Sequence, residues 1–260
     1  MLKPRIEKGD ILKAIEKLPN KQRTSTSKRK EETPAEPVVT LPTSPITSQG
    51  EFWTIPNVVY RGRTEPYDLS KTLLSNGVAK TQDEWAQHYE IAKPRGEFHA
   101  MDFPLFYGIL KSLKEQNAEE ARKFLQEQAR AKWLMTITRI RYAPIGLDEI
   151  MHNYKTKDQY KKQVDFITPD ELIKNTKKPE SYQALLDTQD SVKQINSVFK
   201  WLNKTDTYAW KINEKPDNLI ETVARFVADS GWAYLGCDWD PDIAFASLGV
   251  RRAKNLGGTA

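Results

Sequence analysis

Every one of the 26 aromatic residues in this chain lies between Phe52 and Phe245, and the first fifty positions hold none. Large rings contribute most of the apolar area a core can bury, so this distribution restricts core formation to the region downstream of about residue 50. The expected organisation is a polar arm over residues 1–50, one globular domain over 51–252 and a short flexible tail over 253–260.

The arm carries ten basic and six acidic side chains, so it supplies +4 of the chain's formal net charge of +5. From Asn20 to Gly50 it is rich in Thr, Ser and Pro. Without large apolar groups it cannot offset about 1–2 kcal/mol per residue of backbone ordering entropy, and disorder is the expectation. Ile11, Leu12, Ile15 and Leu18 form one exception, recurring at helical spacing after Asp10 and ending at Pro19. This short helix at 10–18 would order only against a partner, which makes it a candidate docking peptide on a tether. The run Lys28-Arg29-Lys30 is answered at once by Glu31 and Glu32, so it reads as a solvated spacer more readily than as a phosphate-binding tract.

Cys237 is the only cysteine, which excludes an intramolecular disulfide and a thiolate metal cluster. The three histidines are His88, His99 and His152. No run approaches eighteen consecutive apolar residues, so no membrane association is expected, and a cytoplasmic location is the default. No cofactor is expected.

Along the body, Phe52 to Tyr60 suits an edge strand, or an extended segment laid on the core, around Pro56. Thr81 and Glu84 form a capping box that starts a helix ending before Pro94. Asp102 caps the next helix, with Pro104 in its first turn and an apolar stripe through Leu113. The spacing of Leu125, Ala129, Trp133, Ile137 and Ile140 continues as one long helix, although Met135 to Tyr142 has the β-branched content of a strand. Thr168-Pro169-Asp170-Glu171 reads as another helix start, and Ser191 to Asn203 as a further helix. At the C-terminal end the period changes to strand 208–212, helix through Leu219, Val223, Phe226 and Val227, strand 232–239, and a last strand near 246–250. Direct pairing of the strands at 208–212 and 232–239 would make them parallel, with the helix as crossover. The expected fold class is α+β, a helical first part followed by a small mixed β-sheet in β-α-β-β order.

Among candidate sites, Trp232, Tyr234 and Trp239, with Arg251 and Arg252 on the neighbouring strand, would give one sheet face both rings and cations, the chemistry of partner anchoring or base stacking. Asp238, Asp240 and Asp242 imitate the opening of a calcium loop, but Ile243 and Gly249 stand where its glycine and glutamate belong, so an acidic connecting turn is the simpler reading. Cys237 could act as a nucleophile only beside His99 or His152. Glu84 with His88, and Glu97 and Asp102 about His99, are carboxylate–imidazole pairings without a companion nucleophile. The functional expectation is a non-catalytic binding or assembly module with a protein partner. The alternatives are a nucleic-acid-associated protein using the basic arm and the arginine–aromatic face, and a hydrolase with an acidic site near 238–242.

Overall fold

A computed structural model describes residues 45–228 and 231–254. The expected arm helix at 10–18, with Ile11, Leu12, Ile15 and Leu18, and the last six residues of the tail lie outside the described residues.

Two sheets organise the protein. The smaller one has the order β1 (Thr47–Gln49), β2 (Phe52–Tyr60), β3 (Arg63–Leu73) and β11 (Leu248–Arg252), all antiparallel. Its hairpin turns at Arg61-Gly62, both with positive φ, the backbone that a two-residue turn between right-twisted strands requires. Pro56 has no N–H to give to the ladder and Asn57 takes φ 56°, so the register slips by a bulge between Ile55 and Val58. β2 therefore lies inside the sheet, covered along its outer edge by the three residues of β1, and is not the edge strand expected.

The larger sheet has the order β6 (Tyr160–Val164), β5 (Asp148–His152), β4 (Leu134–Tyr142), β9 (Ile220–Ala228), β10 (Ala233–Trp239), β8 (Thr207–Trp210) and β7 (Glu171–Leu172). Neighbours are antiparallel except β8 and β10, which run parallel. Among the described residues the five α-helices are α1 (Gln82–Ala92), α2 (Phe103–Glu115), α3 (Glu119–Lys132), α4 (Pro179–Leu186) and α5 (Val192–Asn203).

The expected helical part followed by a small mixed sheet is therefore wrong: strands open and close the fold, and the chain is a mixed α/β structure built on two sheets. Three local readings carry the error. The expected long helix ends at Lys132, where Trp133 takes φ 52°, and the β-branched run after it becomes β4, buried along nearly its whole length. The expected helix through Leu219 to Val227 is β9, a central strand whose apolar residues fill both faces and so imitate helical spacing. No α-helix starts at Thr168 either: the chain forms β7 and then a single 3-10 turn at Ile173–Asn175, because Asp170 is drawn to the sheet edge, its Oδ1 accepting from the Lys211 N–H at 3.0 Å and its carbonyl from the Tyr208 hydroxyl at 3.0 Å. The parallel pairing of β8 with β10 stands, but a strand lies between them in the chain instead of a crossover helix.

Helix α2 sits at the centre. Asp102 caps it through the Leu105 N–H at 3.0 Å, and every residue from Phe103 to Leu110 is buried, as befits a helix covered on all sides. It joins the principal core, which takes Trp53, Ile55 and Leu69 from the small sheet, Ile140, Phe226 and Leu235 from the large one, and Phe199 and Leu202 from α5. Gly108 is the point of closest approach to β2, and Ser112 donates to the Pro56 carbonyl at 2.7 Å one turn further on. The opposite face of the large sheet carries a second core of Trp85 and Tyr89 from α1 with Met135, Ile137, Val223 and Phe245. The capping box predicted at Thr81 and Glu84 forms and sets α1 there. No described helix is long and apolar enough to cross a membrane.

Candidate binding site

The site grows from strand alternation at the C-terminal end of the large sheet. Ala209, Ala233 and Leu235 point into the principal core, so their neighbours Tyr208, Trp210 and Tyr234 point to the other face, where each is half-buried. The parallel register sets Tyr234 beside Tyr208 and Gly236 beside Trp210. The rings form a chain, 5.6 Å from Tyr208 to Trp210 and 6.3 Å from Trp210 to Tyr234, each pair tilted rather than stacked. Trp232, also half-buried, precedes this group, and Trp239 follows it beyond a bulge in β10.

Arg225 lies next to these rings on β9, directly opposite Gly236. The glycine makes room for it, since a Cβ there would stand 3.0 Å from Arg225 Nε. The guanidinium carbon lies 3.5 Å from the ring centre of Trp239, 4.7 Å from Trp133 and 4.8 Å from Phe245, and the three rings pack on one another at 5.7 to 6.1 Å. Arg225 is fully buried, and none of its three side-chain nitrogens makes a hydrogen bond. Burial pulls its basicity down to about 10. Ring faces attract the cation, but they leave its N–H edge without acceptors. Asp238, on the β10 bulge, keeps exposed surface, yet desolvation around its carboxyl pushes it up to about 6, with Arg225 opposing.

Of the residues expected to form one face, Trp232, Tyr234 and Trp239 fall along one segment. Arg251 and Arg252 do not join them: both lie on β11 in the small sheet, Arg251 bonded to Asp68 at 3.0 Å over the rings of Phe98 and Phe52, and Arg252 bonded to Glu65 at 2.6 Å. Arg225 was missed because Val-Ala-Arg-Phe-Val, read as a helix, puts the arginine on a solvent face. Read as a strand, the same residues put it in line with Val223 and Val227. Gly236, the one residue of β10 without a side chain, was the remaining signal.

The catalytic alternatives find little support in the geometry. The groups acting on Cys237 are Lys211, Asp238 and Arg225, with no histidine among them, and burial pushes the thiol far above its usual range. Asp240 Oδ1 accepts from the Asp242 N–H at 2.8 Å and its carbonyl from Ile243 at 3.2 Å, so the acidic stretch closes a turn. Among the described residues no group of three or more His, Cys, Asp or Glu could hold a metal ion. Glu84 is engaged in its capping box, and His99 Nδ1 is paired with the Ala100 carbonyl at 2.9 Å.

A second group of buried titratable residues, at the start of α2, is hydrogen-bonded throughout. Tyr60 donates to Asp102 Oδ2 at 2.8 Å and accepts from Asn153, while the ring nitrogens of His152 meet Thr138 Oγ1 at 3.2 Å and the Ala184 carbonyl at 3.1 Å. A void of about 10 Å³ between Met101, Phe106, Met135 and Phe226 is too small for a substrate.

No protein-family model, no curated protein and no solved structure matches this chain.

Proposed function

We propose that the protein is a non-catalytic binding or assembly module that engages a protein partner through the outer face of β8 and β10. The observation that carries this reading is the concentration of Tyr208, Trp210, Trp232 and Tyr234, all half-buried, on a stretch of sheet whose other face is committed to the core. Tyr, Trp and Arg are the side chains that most often dominate association energy, because each brings large contact area together with a polar tip. A polyanionic partner would call for free cations on this face, and the two arginines expected to supply them are bonded to Asp68 and Glu65 on the other sheet. In this reading Ile11, Leu12, Ile15 and Leu18 give the arm a second, tethered contact, and the single buried cysteine fits a reducing cytoplasmic setting.

A photo-crosslinking side chain placed at Trp210 in the living source cell tests the reading, with one at exposed Glu127 as reference. Position 210 should trap one predominant protein that position 127 does not, and Tyr234→Ala should abolish the adduct. Equal, unselective labelling from both positions would refute it.

A further inference from the structure

Arg225 is the only arginine among the described residues whose guanidinium nitrogens are all buried and all without a hydrogen-bond partner. Its guanidinium carbon lies over the rings of Trp133, Trp239 and Phe245, which attract the cation but cannot accept an N–H in the manner of an oxygen. The other buried arginines differ. Arg139 bonds to Gln82, Tyr154, Glu221 and Asp83, and Arg122 to Glu119, Gln126 and Leu202. The same outer face presents a second unsatisfied donor, the indole N–H of Trp210.

We propose that Arg225 is the receptor for a carboxylate of the bound partner, presented by an acidic side chain or a chain terminus and admitted between the rings of Trp133 and Trp239. This deepens the proposed function and rests on the same face being the contact surface. Trp133 and Trp239, two of the three rings around the guanidinium, are only half-buried, so each keeps surface from which a ligand can approach, and a change of their side-chain rotamers is the movement that binding requires. A carboxylate matches the site in shape and in charge. Its two oxygens match the N–H edge bidentately, and with Asp238 already close by, a single further negative charge is the least that an anion can bring. A dianionic phosphate would leave a net charge among the rings, beside Asp238.

The full-length protein can be titrated with phenylacetate, with phenylacetamide as its neutral isostere and phenyl phosphate as the competing oxyanion. The readouts are tryptophan fluorescence and the Arg225 Nε–Hε NMR resonance. Phenylacetate should shift both signals, and the amide should bind at least about tenfold more weakly, the factor expected for losing one charge-assisted hydrogen bond. Arg225→Met should abolish the response. Gly236→Ala, which keeps the charge but presses a methyl against Arg225 Nε, should weaken it. The amide comparison uses the unaltered protein, so it decides the matter even if both variants misfold. Equal binding of acid and amide, or no shift of the Nε resonance, would overturn the carboxylate site, and tighter binding of phenyl phosphate would overturn the choice of anion. Because these probes do not require the partner, their failure leaves the crosslinking result from position 210 standing, and the converse also holds.

Discussion

Gly108→Ala is a sharp test of how α2 is seated. In an exposed helix this change would stabilise by about 1 kcal/mol, since alanine is the better helix former. Here the new Cβ would lie 2.5 Å from the Val59 carbonyl oxygen and 3.3 Å from Val58 Cγ1. Neither obstacle gives way easily, because the oxygen belongs to the backbone of β2 just past its bulge and Val58 is fully buried. Relief requires α2 to withdraw from the strand by the better part of an ångström, which opens the packing around Ile55 and Ile109 and stretches the Ser112–Pro56 hydrogen bond. Overpacking of this kind costs about 1–3 kcal/mol, and weakening the hydrogen bond adds up to about 1. Set against the propensity gain, the net is a destabilisation of up to about 3 kcal/mol instead of a stabilisation of about 1, with a fall in melting temperature of about 2–4 °C per kcal/mol lost. Urea unfolding followed by circular dichroism measures it. Gly231→Ala, where a Cβ meets nothing within 4 Å, serves as the matched control and should change little. A Gly108→Ala protein more stable than the parent by about 1 kcal/mol, the gain of an exposed helix, would show that α2 does not approach β2 as described.

Burial holds His99 and His152 at about 4, so between pH 6.5 and 4 the unfolded chain binds more protons than the folded one, and each ring removes up to about 3 kcal/mol of stability on acidification. Asp102, raised by burial to about 6, works in the opposite sense and returns up to about 3 kcal/mol over nearly the same window. Asp102→Asn should therefore steepen the acid loss by about that amount in denaturant titrations, and identical pH slopes for the two proteins would refute the balance. Arg139→Ala, which leaves Glu221 to Arg141 and Asp83 to Lys155 but strips the buried Gln82 Oε1 of its donor, should cost about 1–3 kcal/mol, whereas Arg252→Ala at an exposed ion pair should cost under about 1; a reversed order in thermal melts would contradict the burial assigned to them. The Cys237 thiol should resist Ellman's reagent in the native protein and react at once in guanidinium, and rapid native labelling would contradict its burial.

Much of the helical content could be read locally because caps are local chemistry. Thr81 with Glu84, Asp102 with Pro104, and Ser191 with Gln194 each close hydrogen bonds within one turn, and each starts a helix where expected. The sheets could not be read this way. β3 carries Pro66 and lacks a clean alternation, since Arg63, Glu65 and Lys71 stand at the same parity as Tyr67, Leu69 and Leu73, and its pairing with β11 depends on residues far along the chain. Central strands such as β4 and β9 are apolar on both faces and so lose the period that distinguishes strand from helix. The site divides the same way. Trp232, Tyr234 and Trp239 are neighbours in sequence and were visible together, while Arg225 enters only through the pairing of β9 with β10.

β11 joins β3 along one edge, and Val250 bridges to His99, so the last strand closes a sheet that the chain began near its fiftieth residue. On the ribosome, the hairpin of β2 and β3 must wait with one ladder open until Leu248–Arg252 has been made. Asp68, Lys71 and Glu65 along that ladder guard it against pairing with another nascent chain in the meantime. Stalled or prematurely ended translation would release a product that keeps its helices but retains a sticky rim, and such fragments should be strong substrates for chaperones and quality-control proteases.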